Sequence, residues 1–156
     1  MSNNYEQIIN DVFDNNSSTN IEEVSIIVDD VLEQLDSGAL RVCEKINGNW
    51  VVNQWIKKAI LLSFRTKSNS TLSGPYATWF DKVAGKTADW DEDKYNLAGF
   101  RNVPNAVIRK SAFVAKDCII MPSFINVGAY VDQGTMIDTW STIGSCAQIG
   151  ENCHIS

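Results

Sequence analysis

The sequence is short of histidine and of paired cysteines: His154 stands alone, and Cys43, Cys118, Cys146 and Cys153 form no C-x-x-C pair. That scarcity excludes a zinc site of the usual spacing, and thiols scattered in this way read as reduced. Basic residues are also in deficit, with 13 Lys and Arg against 19 Asp and Glu and a net charge of −6. Nucleic acids and anionic membranes are bound through basic surfaces that displace counterions, so neither is expected as a partner. No run approaches the roughly 18 consecutive apolar residues of a membrane span, and "MSNNYEQIIN" lacks a basic region followed by an apolar one. The chain is therefore expected in the cytoplasm with no bound metal. Its 156 residues, 44% of them hydrophobic, suffice for one domain with a full core or for a small domain plus an extension.

Residues 1–100 read as a mixed α/β domain. "YEQIINDVF" places Ile8, Ile9, Val12 and Phe13 on one helical face. "NIEEVSIIVDDVLEQL" repeats the pattern with Val24, Ile27, Val28, Val31 and Leu35, with Asn20 as the expected N-cap and Gly38 as the stop. "LRVCEKINGNWVVNQW" predicts two alternating strands around Asn47-Gly48, a dipeptide that tolerates the positive φ of a tight hairpin turn. A third helix follows in "QWIKKAILLSF", and "RTKSNSTLSGP" reads as a loop. Trp79, Phe80 and Trp90 are expected to pack this small domain. "GKT" at Gly85–Thr87 imitates the end of a phosphate-binding loop, but Phe80 stands where that motif needs glycine.

Beyond residue 100 the pattern changes to a period of six. Val107, Phe113, Ile119, Ile125, Val131, Ile137, Ile143, Ile149 and Ile155 occupy every sixth place. Four after each aliphatic comes Ser111, Asp117, Ser123, Ala129, Thr135, Ser141, Ala147 or Cys153, small in all but Asp117. Turn formers fill the corners. Such a unit is a short strand plus a corner, and three units make one coil of a triangular parallel β-helix. Alternate side chains of a strand face opposite ways, so the aliphatic and the small residue two places before it both point inward. Counting 18 residues per coil, Val107 to Phe124 is one coil and Ile125 to Thr142 a second, with a third begun at Ile143. The pattern stops before that coil closes, so the chain is expected to be a truncated piece of a longer protein.

Three stretches go beyond a generic hexapeptide pattern: "LDSGALRVCEKINGNWVVNQWIKKAILLSFR", "FDKV" and "GFRNVPNAVIRKSAFVAKDCIIMPSFINVGAYVDQGTMIDTWSTIGSCAQIG". They resemble the tetrahydrodipicolinate N-succinyltransferases, hexapeptide-repeat acyltransferases of bacterial lysine and diaminopimelate biosynthesis. The resemblance implies a left-handed β-helix over 101–156 and a homotrimer with sites between subunits. It further implies transfer of succinyl from succinyl-CoA, a co-substrate rather than a permanently bound cofactor, to the amine of the ring-opened dicarboxylate. It carries two site residues: Asp138 of "MIDTW" on the acceptor, with a proposed part in catalysis, and Arg101 of "GFRNVP" on a substrate carboxylate. Most coenzyme A contacts would lie in later coils.

The residues themselves leave plainer readings open. Asp138 points out of the prism and suits an amine that must shed a proton, yet Asp132 one hexad earlier is an ordinary corner carboxylate. Arg101 offers paired donors to a carboxylate, or is a linker arginine just before the first coil. His154 falls on the same prism face as Asp138 and is a rival general base. Trp140 at a corner is expected against a neighbouring subunit, or in the wall of the acceptor pocket. Cys146 has no histidine paired with it in sequence and is expected to be structural. Two alternative functions stand beside succinyl transfer: a truncated, non-catalytic β-helix scaffold, or a related enzyme with another acyl donor.

Overall fold

The computed structural model describes residues 2–15 and 21–156. Helices α1 (Ser2–Asn15), α2 (Ile21–Asp36) and α3 (Gln54–Thr66) pack together through the stripes their sequences carry, with Ile9, Val28, Val31 and Ile56 fully enclosed. The expected cap Asn20 lies outside the described residues. Between α2 and α3, β1 (Cys43–Ile46) and β2 (Asn49–Val52) form the predicted antiparallel hairpin. Its turn places Asn47 at φ 49° and Gly48 at φ 83°, the left-handed region that Asn and Gly tolerate best.

The segment read as a loop contains a strand. β3 (Ser70–Ser73) pairs antiparallel with β4 (Thr78–Asp81), and the Gly74 N–H closes the turn on the Ala77 carbonyl at 3.0 Å. This hairpin shows no apolar alternation because it projects from the domain with little of either face buried. Trp79 and Phe80 are accordingly 46% and 70% exposed, which corrects the expectation that they fill the small domain. Trp90 does pack, edge-on to Tyr95 at 5.2 Å and tilted to Phe100 at 5.7 Å. Tyr95 belongs to α4 (Glu92–Ala98), which Asp91 caps by accepting the Lys94 N–H, and which ends at Gly99 with φ 72°.

The rest is a parallel β-helix of about three coils. Its two-residue strands are β5 (Arg101–Asn102), β6 (Val107–Ile108), β7 (Phe113–Val114), β8 (Ile119–Ile120), β9 (Phe124–Ile125), β10 (Tyr130–Val131), β11 (Met136–Ile137), β12 (Thr142–Ile143), β13 (Gln148–Ile149) and β14 (His154–Ile155). They stack into three walls: β5-β8-β11-β14, β6-β9-β12 and β7-β10-β13. Since β5 pairs with β8, Arg101 belongs to the first coil rather than preceding it.

The strict hexad register fails in the first part of the helix. Ile125 pairs with Ile108, Val131 with Val114 and Ile137 with Ile120, each 17 residues apart, whereas Ile143, Ile149 and Ile155 lie 18 beyond Ile125, Val131 and Ile137. The residues that point inward are therefore Ile108, Val114 and Ile120, not Val107, Phe113 and Ile119; Ile108 is 3% exposed and Val107 44%. The small inward residues shift likewise, to Ala112 and Cys118, while Ser111 and Asp117 sit at corners with φ 75° and 62°. The cause is the corner at Met121–Ser123. The other corners from Asn105 to Asn152 each hold one left-handed residue, and this one holds none, which removes one residue from the coil.

The helices grip the prism at four places. Gly38 lies where a Cβ would fall 2.7 Å from the Phe113 ring, and Gly128 where one would fall 2.6 Å from Ile60 Cδ1. The Arg41 guanidinium stacks 3.6 Å over the Tyr130 ring and donates to Gln148 Oε1 at 3.1 Å. Deepest is Asp36 at the end of α2. One carboxylate oxygen accepts the Ser111 N–H at 2.7 Å and the other the Lys86 ammonium at 2.7 Å, with only 6% of the lysine side chain exposed. Burial depresses the Lys86 pKa, and the Asp36 carboxylate opposes that shift.

Candidate functional site

Wall β5-β8-β11-β14 brings the candidate residues Arg101, Asp138 and His154 onto one side of the prism. Its inward column is Asn102, Ile120, Ile137 and Ile155, and its outward column is Arg101, Ile119, Met136 and His154. Enclosure of Ile120 and Ile137 at 0% exposure fixes the strands, and the pleat then turns their neighbours outward. Asp138 comes immediately after Ile137, at the start of a corner held by the Trp140 N–H on the Pro122 carbonyl at 2.7 Å.

The two carboxylate oxygens of Asp138 have different partners. Oδ1 accepts the Thr139 N–H at 2.7 Å, and Oδ2 lies 3.1 Å from His154 Nε2 on the coil above. The Thr139 N–H first, and then the imidazole, favour the ionised carboxylate and hold the Asp138 pKa below its ordinary value. Asp132 makes the same turn, accepting the Gln133 N–H at 2.9 Å, but has no imidazole beside it. The sequence placed Asp138 and His154 on one face; their spacing of 16, two short of a full coil, brings the side chains into contact.

Trp140 occupies the left-handed position of this corner at φ 62°, where Gly128 and Gly134 sit at equivalent corners. A bulky residue there is a backbone outlier, and its side chain is 82% exposed in the single chain. Cys146 sits at a left-handed corner against the helical core, and burial raises its thiol pKa, the opposite of nucleophile activation. Among the described residues no group of three or more His, Cys, Asp and Glu side chains could hold a metal ion.

This constellation sits on a sequence with close relatives. A family profile described as "Tetrahydrodipicolinate N-succinyltransferase N-terminal" matches residues 4–66. Curated proteins called 2,3,4,5-tetrahydropyridine-2,6-dicarboxylate N-succinyltransferase align over most of the chain. That of Bradyrhizobium diazoefficiens is 53% identical over 97% of this chain and 56% of its own length. Those of Pelagibacter ubique and Paramagnetospirillum magneticum are 52% and 51% identical, over 97% and 86% of this chain and 58% and 49% of theirs. The chain belongs to the tetrahydrodipicolinate N-succinyltransferase family. It spans about half the length of the curated relatives it matches.

In this family member Arg101 and Asp138 share a wall but do not meet. Arg101 stands two coils below Met136, about 10 Å at the usual strand spacing. Among the described residues its guanidinium has no hydrogen-bond or ion-pair partner, so its donors are available to a ligand. Two cavities, of about 190 and 170 Å³, lie instead where the helical domain meets the prism; Ile60 and Val127 line both, and neither includes Arg101, Asp138 or His154. The Asp138 face is open in the single chain. No helix among the described residues is long and apolar enough to cross a membrane.

Proposed function

We propose that the protein transfers succinyl from succinyl-CoA to the amine of ring-opened tetrahydrodipicolinate, in lysine and diaminopimelate biosynthesis in the cytoplasm. The observation that carries this reading is Asp138 in "MIDTW", ionised and facing outward on a rigid wall, in a chain about half identical to relatives named for that reaction. Asp138 meets the acceptor amine. Arg101 takes an acceptor carboxylate through paired N–H donors, and the coil separation of about 10 Å is bridged by an extended pimelate skeleton and the long arginine side chain. Succinyl-CoA acts as co-substrate, and no cofactor is permanently bound.

The working form is a homotrimer of left-handed prisms, in which a neighbouring subunit covers the Asp138 face. Two features support that arrangement: the His154 side chain against Asp138 is 61% exposed, and Trp140 beside them leaves an indole in water that a partner surface would bury. The same openness supports a second reading, in which this chain alone is a scaffold that transfers nothing. Release of free thiol from succinyl-CoA in the presence of the cyclic dicarboxylate decides between them. Equal turnover with acetyl-CoA would instead assign a different acyl donor.

A further inference from the structure

We propose that the proton lost by the acceptor amine is taken by Nδ1 of His154, with Asp138 holding the imidazole in place through Nε2. This rests on the acyl-transfer reading and adds to it a residue and a proton path.

The geometry sets the tautomer. An ionised carboxylate only accepts hydrogen bonds, so the 3.1 Å contact between His154 Nε2 and Asp138 Oδ2 requires the hydrogen on Nε2. In the neutral ring the lone pair then lies on Nδ1. Among the described residues Nδ1 has no partner, and the side chain is 61% exposed on the face that carries Asp138. Asp138 itself is a poor final acceptor, because Thr139 and His154 already hydrogen-bond to its ionised form. A carboxylate that orients a histidine, leaving the far ring nitrogen to move the proton, is an arrangement found on unrelated folds.

In the step itself the amine nitrogen bonds to the thioester carbonyl carbon. The nitrogen gives up one proton to Nδ1, forming an imidazolium paired with Asp138. The C–S bond then breaks, and the imidazolium returns that proton to the departing sulfur. Amide and thiol are formed, the histidine is neutral again, and no oxidant or further reactant enters.

The test uses side chains that copy one ring nitrogen at a time. Glutamine at 154 places an amide N–H near the Nε2 position and preserves the hold on Asp138 while removing the base. His154→Gln is expected to lower kcat about 100-fold or more, with KM nearly unchanged, in the thiol-release assay. Turnover retained in His154→Gln but lost in His154→Ala would make the ring a mere prop for Asp138 and overturn the proposal, as would turnover retained in both. If the unsubstituted chain releases no thiol, the transfer reading fails for this chain, and the imidazole is read directly. With one histidine in the sequence, its ¹H–¹⁵N ring signals are unambiguous. Signals moved by 2-aminopimelate support the proton site; signals that stay fixed overturn it.

Discussion

Replacing Ile120 tests the shortened coil directly, because a strict hexad and the observed register put different residues inside. Ile119 and Ile120 are adjacent, both apolar and equal in size, so only the direction of the side chain separates them. Ile120 is 0% exposed, with Asn102 and Ile137 as its column neighbours in the coils below and above. Ile120→Ala removes buried methyl groups from a site whose walls are backbone strands that cannot collapse inward. The expected loss is about 3–4 kcal/mol, well within the range for such truncations. Ile119 lies on the outward face and is half-buried, so Ile119→Ala is expected to cost about 1 kcal/mol. For a chain of this size the difference corresponds to a melting temperature lower by about 5–10 °C in Ile120→Ala. Urea unfolding followed by circular dichroism measures both. A larger loss in Ile119→Ala than in Ile120→Ala would restore the uninterrupted hexad and refute the short corner at Met121–Ser123.

Asp36→Ala strips the nearly buried Lys86 ammonium of its carboxylate partner, leaving the residue-36 carbonyl, the Trp90 ring and the more distant Glu33 charge, and is expected to cost about 3 kcal/mol in urea unfolding; adding Lys86→Met should recover much of it. Trp140→Asn places at the corner a residue type that already occupies such positions at Asn105 and Asn152, so the isolated chain is expected to gain about 1 kcal/mol while sedimentation shows weaker self-association. The pKa of Asp138 is lowered in the fold, so its contribution is present above the ordinary carboxylate range and is lost as pH falls through the lowered value. The stability difference between the unsubstituted chain and Asp138→Asn should therefore widen as pH rises through the lowered value and the ordinary carboxylate range.

The hexads revealed the β-helix because a triangular coil demands one inward aliphatic per side, a demand that no helix or flat sheet makes. They concealed the register slip for an equally physical reason. Val107-Ile108, Phe113-Val114 and Ile119-Ile120 are apolar pairs, so a shift of one leaves the pattern unbroken. The corners could have signalled it, since the left-handed positions run Asn105, Ser111, Asp117 and then skip to Gly128. The β3-β4 hairpin was illegible because strands with little buried on either face carry no period of two. Arg101 looked like a linker because its strand has no aliphatic at the inward place, which Asn102 fills. Asp138 stood out through the resemblance and its outward position, whereas its bond to His154 depends on two turns lining up across a coil.

If Asp138, unlike Asp132 one hexad earlier, meets the acceptor amine, only its loss should stop transfer. Thiol release from succinyl-CoA with the cyclic dicarboxylate, compared between Asp138→Asn and Asp132→Asn, tests it most directly. A loss of about 100-fold or more is expected for Asp138→Asn, with unchanged turnover for Asp132→Asn. Equal turnover in the two variants would contradict it.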